Sequence, residues 1–139
     1  MSRLFEPPEG RRVFRRDFVP QASDIDANGH VNNVVYLAWA QTLAIDHWDS
    51  AASAEESERW AWVALRHEVD YRRALMPGET GHGRTWVSDV AEGPRFDRFV
   101  RIDGPDGVMC AQVRTVWCLI DRATGRPRRV PADLLARFG

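Results

Sequence analysis

The chain has 139 residues, enough for one hydrophobic core and cramped for two domains, and residues 1–139 are expected to form a single domain. Its 19 Lys and Arg nearly balance 20 Asp and Glu, and a net charge of −1 gives no global pull towards nucleic acid or an anionic membrane, so neither partner is expected. There is no apolar run of about 18 residues, no secretory-type apolar stretch at the start, and no cysteine framework beyond Cys110 and Cys118, which makes the cytoplasm the expected compartment.

Residues 1–12 carry Pro7, Pro8 and Gly10 and read as a loose lead-in. A first strand is expected at about 13–22. The stretch 23–30 is rich in Asp, Asn and Gly and reads as a structured loop. Asn32 or Asn33 suits a helix N-cap, and a helix is predicted over 34–50. Ten of its twelve residues from Val34 to Ile45 are apolar, so it is expected to be buried nearly all round. Residues 53–59 are polar and extend the helix end or make a surface turn.

Four strands follow. The first, 62–73, places Val63, Leu65, His67, Val69 and Tyr71 on one alternating face. Met76-Pro77-Gly78-Glu79 is a turn, and 80–91 is the next strand. After Glu92-Gly93-Pro94, residues 95–103 alternate, with Phe96, Arg98, Val100 and Ile102 on one face. Gly104-Pro105-Asp106-Gly107 closes a hairpin into a long strand, 108–121, and Pro131 precedes a short closing helix, 132–138. Cys110 and Cys118 stand eight apart on that last strand and would share a face as reduced core residues. The fold class is therefore α+β: about five long antiparallel strands wrapped around one central buried helix. A half-wrapped sheet leaves edges and an open side, so a homodimer or homotetramer is expected.

The chemistry concentrates in SDIDANGHVNNVVYLAW, residues 23–39. Asp24, Asp26, Asn28, His30, Asn32 and Asn33 fall within ten residues, just before the apolar helix. A helix start offers free backbone N–H groups and partial positive charge. A carboxylate beside it supplies a base or a nucleophile. Together they can activate water and hold an oxyanion in acyl transfer. Asp24 suits a structural role in the loop, and the Asn32 and Asn33 side chains suit capping. His47, His67 and His82 lack ligand spacing, so no metal is expected. Tyr36 and Trp39 suit core packing. Arg72, Arg73, Arg95, Arg98, Arg101, Arg126, Arg128 and Arg129 include candidates for phosphate contacts. Gly81-His82-Gly83 lacks the context of a phosphate loop.

The run Asp24-Ile-Asp26-Ala-Asn28-Gly-His30-Val-Asn32-Asn33, followed by Val34-Val35-Tyr36, resembles the signature of hot-dog acyl thioesterases. It is similar both to the 4-hydroxybenzoyl-CoA thioesterase-like bacterial enzymes and to the plant acyl-carrier-protein thioesterases. Asp70-Tyr71-Arg72-Arg73, Pro77-Gly78-Glu79, Trp117 and Thr124-Gly125-Arg126-Pro127 extend the resemblance over about residues 13–138.

The resemblance implies a hot-dog fold and hydrolysis of an acyl-CoA or acyl-carrier-protein thioester, with no cofactor. It puts Asp26 at the catalytic carboxylate, as nucleophile or general base. Asn28 and His30 match the plant Asp-x-Asn-x-His arrangement and would orient the carboxylate, the water or the carbonyl. The backbone N–H of Asn33 would polarise the thioester carbonyl. Ala74 and Leu75 stand where the plant enzymes carry a Glu-Cys pair, so no second carboxylate carries over there. A dehydratase or hydratase on the same fold, and a non-catalytic acyl-thioester binder, are the alternative functions. Free-thiol release separates hydrolysis from both.

Overall fold

The structure, a computed structural model, describes residues 3–139. Its elements run in the order β1 (Phe14–Phe18), α1 (Asn33–Ala51), α2 (Ala54–Arg59), β2 (Trp60–Tyr71), β3 (Gly81–Val87), β4 (Arg95–Asp103), β5 (Met109–Asp121) and α3 (Ala132–Phe138). The five strands form one antiparallel sheet in the order β1-β3-β4-β5-β2, with β1 and β2 at the edges. One face of this sheet curls around α1, the hot-dog arrangement that the sequence resemblance implies.

Local chemistry explains the boundaries. β1 stops at Phe18 rather than running to residue 22, since Pro20 has no N–H to pair. A single 3-10 turn, Ala22–Asp24, follows. α1 starts where the Asn32 Oδ1 accepts from the Val34 N–H at 3.2 Å. Its interior holds neither Gly nor Pro. Residues 54–59 form a separate helix, because Ser53 and Glu56 build a capping box that starts a new helix instead of extending α1.

The helix meets the sheet through large side chains and two glycines. Phe18 stacks on Trp39 with ring centroids 5.0 Å apart. Tyr36 is buried, and its hydroxyl accepts a hydrogen bond from the Leu75 N–H at 3.0 Å. A Cβ on Gly83 would come within 2.9 Å of Leu43 Cδ1, Phe18 Cε2 and the Arg16 carbonyl oxygen. The Gly81-His82-Gly83 segment thus lies on β3 directly under α1, where missing side chains let the helix approach. One core cluster joins Phe18, Tyr36, Trp39, Leu43, Leu75, Ile102 and Val113. A second joins Trp60, Val87, Phe96, Leu119, Val130, Leu134 and Phe138 beneath α3.

Three expectations need correction. The helix is not buried all round. Val34 and Ile45 are 68% and 58% exposed, and with exposed Ala38 and Gln41 they make an open stripe down α1. The sheet covers one side of the helix and leaves this stripe uncovered. The alternating face predicted for β2 is also broken, because a bulge at Leu65 slips the register between Ala64 and Arg66. Trp60, Trp62 and Ala64 therefore share the core face with His67, Val69 and Tyr71, and Val63 falls on the opposite face. Likewise, a register slip between Ile102 and Asp103 leaves Cys110 without a β4 partner. Cys110 packs in the core, whereas Cys118 sits opposite Val63 and Arg95 on the other face; both are free thiols.

His47 on α1 makes stability depend on pH. It is 7% exposed, stacks on Phe14 and meets Phe138 edge-on. Burial, and then the neighbouring Arg98 charge, lower its pKa from 6.5 to about 4. As pH falls through 6.5 the unfolded chain takes up this proton and the folded chain does not. Stability therefore falls between about pH 6.5 and about pH 4, and His47 contributes no slope above that window. Urea midpoints at pH 7.5 and pH 5 check this: wild type should lose stability at the lower pH, and His47→Gln should lose less. An equal loss in both chains would contradict the assignment.

Candidate active site

The loop before α1 is tied at its base and turned at its tip. Ile25 and Val31 form an antiparallel bridge, and the Asn32 N–H donates to the Asp24 carbonyl at 2.8 Å. The Val31 N–H donates to the Leu75 carbonyl at 2.9 Å, which anchors the loop to the segment after β2. At the tip the Asp26 N–H donates to the His30 carbonyl at 2.9 Å, and the Gly29 N–H to the Asp26 carbonyl at 3.0 Å. Gly29 takes φ of +79°, the left-handed conformation that glycine adopts without strain.

This turn fixes the Asp26 carboxylate. Its Oδ1 accepts from the Asn28 N–H at 2.9 Å and from the His30 N–H at 3.3 Å. The backbone of Asn28 and His30, rather than their side chains, thus holds the carboxylate. Both side chains are exposed, and neither has a hydrogen-bond partner among the described residues. Asp26 itself is half-buried. Asp24 is structural, as expected: its Oδ2 accepts from the Gln21 N–H at 2.8 Å.

Asn33 is the first residue of α1, and the helix start accounts for its neighbours. The Val34 N–H is taken by the Asn32 side chain and the Val35 N–H by the Asn32 carbonyl at 2.9 Å. That leaves the Asn33 N–H with no acceptor among the described residues, at the positive end of a 19-residue helix. The Asn33 carbonyl accepts from the Tyr71 hydroxyl at 3.1 Å. Sequence reasoning did not single out Tyr71 as part of this region. Its signal was its place in Asp70-Tyr71-Arg72-Arg73, one of the downstream pieces of the resemblance.

The other downstream pieces have structural work. Arg73 forks onto Glu79, Nη1 to Oε1 at 2.9 Å and Nη2 to Oε2 at 2.7 Å, and this pulls the Glu79 carboxyl down to about 2. The pair locks the Pro77-Gly78-Glu79 turn. Of the arginines considered for phosphate contact, Arg73 is thus engaged, Arg101 pairs with Asp103 and Glu6, and Arg98 is buried. Arg95, Arg126 and Arg129 are exposed. Among the described residues, no group of three or more His, Cys, Asp or Glu is placed to hold a metal ion. No helix of the described residues is long and apolar enough to cross a membrane.

Comparisons with known proteins bear on the fold and the family. A predicted thioesterase from Bacillus stearothermophilus superposes with a TM-score of 0.78 at 25% identity, over 91% of this chain and 94% of that one. A thioesterase from Thermus thermophilus, solved with coenzyme A and Zn, gives 0.78 at 25% identity over 94% of both chains. A 12:0-ACP thioesterase from Umbellularia californica shares the fold at 18% identity, with a TM-score of 0.76 over 90% of this chain and 49% of that one. None of the curated proteins compared matches the chain. The family model of the thioesterase-like superfamily matches residues 20–138, the loop, the helix and every strand after β1 included, and the chain belongs to that superfamily.

Proposed function

We propose that this chain hydrolyses an acyl-CoA or acyl-carrier-protein thioester at the Asp26 loop. The observation that carries the reading is the pairing of a carboxylate held by two backbone amides with an unengaged N–H at the start of α1. The Asn33 N–H donates to the thioester carbonyl and stabilises the oxyanion that forms there. The Asp26 carboxylate either takes a proton from an attacking water or attacks the carbonyl carbon itself. In the first route the tetrahedral intermediate collapses to acid and thiolate. In the second, an acyl-Asp26 anhydride forms, the thiolate leaves, and water then hydrolyses the anhydride. Asn28 and His30, with side chains free of internal partners, face the incoming substrate or water. The coenzyme A complex of the Thermus relative favours a CoA thioester, and the carrier-protein thioesterase favours the other.

The working form is a homo-oligomer, most simply a homodimer, in the cytoplasm. The exposed stripe of Val34 and Ile45 starts at the Asp26 loop. Edge strand β2 adds twelve residues, with Val63 and Leu65 about half exposed. Burying these surfaces between copies removes apolar area from water. Sedimentation should return twice the chain mass or a multiple of it. A monomer with full activity would end that part of the reading. Thiol release from a panel of aliphatic and aromatic acyl-CoAs and acyl-carrier proteins tests the whole: release from at least one is expected, and tight binding without release would leave a binding subunit.

A further inference from the structure

An apolar, aromatic-lined cavity lies away from the Asp26 loop. It measures about 430 Å³ and is partly open to solvent, between the C-terminal half of α1, α3 and the sheet, within the range of small-ligand sites. Its lining on α1 begins at Gln41, eight residues or about 12 Å along the helix from Asn33. The walls are aromatic: Trp48, Trp60, Trp62, Phe96, Trp117 and Phe138. Trp48 stacks on Phe138 at 5.4 Å and meets Trp62 edge-on at 5.9 Å, so the wall is a continuous packed surface.

One charge is buried in this wall. Arg98 lines the cavity, is 9% exposed, and stands on the core face of β4 between Phe96 and Val100. Its Nη1 donates to His47 Nδ1 and to Thr85 Oγ1, both at 3.0 Å. The Thr85 hydroxyl in turn donates to the Phe99 carbonyl at 2.9 Å. His47 is neutral at ordinary pH, so it offers a lone pair and no charge. Of the five guanidinium N–H donors, those on Nε and Nη2 have no partner among the described residues, and no carboxylate lies within 4.0 Å. Burial pulls the guanidinium down to about 10, which leaves it cationic at neutral pH. A second donor stands in the same wall. Trp117 shares the core face with Phe96 and Ala64, and its Nε1 is a buried side-chain nitrogen without an acceptor. The other charged residues of the lining, Asp49 and Arg122, are exposed.

A buried cation without a counter-ion is costly. Here the cation lines aromatic space with donors left unpaired, and an orphaned N–H is buried in the same wall. We propose that the cavity binds an apolar ring or chain carrying one carboxylate, with Arg98 as the anion contact and the tryptophans as the apolar seat. Two sources share this chemistry: a free hydrophobic acid, such as the product of thioester hydrolysis, or the distal carboxylate of a diacid acyl group. The binding claim stands without the hydrolysis reading; the choice between the two sources rests on it.

The test is calorimetric titration of the full chain with 4-phenylbutanoate and octanoate against their neutral amides. The carboxylates should bind about tenfold tighter or more, the worth of one charge-assisted contact. Arg98→Met, which replaces the buried charge with an apolar side chain of similar length, should bind acid and amide alike. Equal affinities in wild type would overturn the proposal, as when a partner subunit's carboxylate already neutralises Arg98. Discrimination that survives in folded Arg98→Met would place the anion elsewhere and overturn it too. Failure of Arg98→Met to fold leaves the wild-type comparison as the deciding measurement. Kinetics then separate the sources. Inhibition by the free acid, with no preference among acyl-CoAs, assigns the site to product. A raised kcat/KM for an ω-carboxyacyl-CoA over its methyl-ended analogue, lost in Arg98→Met, assigns it to the acyl tail.

Discussion

Asp26→Asn should lower kcat for thioester hydrolysis by about a hundredfold or more, equivalent to roughly 3 kcal/mol of transition-state stabilisation. The substitution keeps the size of the side chain and removes its charge and basicity. Its amide oxygen still accepts from the Asn28 and His30 N–H groups, which hold Oδ1 in the wild type. The loop should therefore keep its shape, and KM should move little. Either chemical route is lost, because an amide neither attacks a thioester nor takes a proton from water at neutral pH. Steady-state thiol release by wild type and variant, with a matched thermal melt for each, checks this. A variant within about threefold of wild type would remove Asp26 from the chemistry and turn attention to His30.

Leu43→Ala should cost about 2–5 kcal/mol of folding stability. Leu43 is fully buried at the middle of α1, and its Cδ1 lies where a Cβ on Gly83 would collide. The backbone of β3 is already close to the helix there, with Phe18 and Trp39 stacked beside it. These rigid neighbours leave little room for collapse, so the cavity term adds to the lost transfer energy. Urea unfolding of the two chains measures the difference. A loss under about 1 kcal/mol would mean that helix and sheet close over the gap.

Much of the architecture was legible because burial and turn chemistry agreed along the chain. β4 alternates from Phe96 to Val100, glycine and proline mark its two hairpins, and its predicted bounds are those observed. The closing helix after Pro131 likewise matches. The errors share one origin: pairing and coverage depend on residues distant in sequence. Leu65 reads as a core position by its spacing, yet a bulge set by β5 throws it out of register. Val34 and Ile45 read as buried because they are apolar, but only one side of α1 meets the sheet.

The candidate site was legible for a different reason. Its residues lie within one short loop, so the Asp26 turn, the Asn32 cap and the Asn33 position follow from local sequence. What that sequence could not supply was the role of the backbone. The amides of Asn28 and His30 hold the carboxylate, while their side chains remain open. Arg98 carried a usable signal, a charge on the apolar face of a strand. That no carboxylate among the described residues lies within 4.0 Å of it emerges only when β3, β4 and α1 come together around it.

A crystal structure of Asp26→Asn with an intact acyl-CoA bound would show directly whether the Asp26 loop and the start of α1 hold the thioester. The thioester carbonyl oxygen is expected about 3 Å from the Asn33 N–H, with the residue-26 side chain beside the carbonyl carbon. A thioester bound with its carbonyl away from the start of α1 would contradict this expectation.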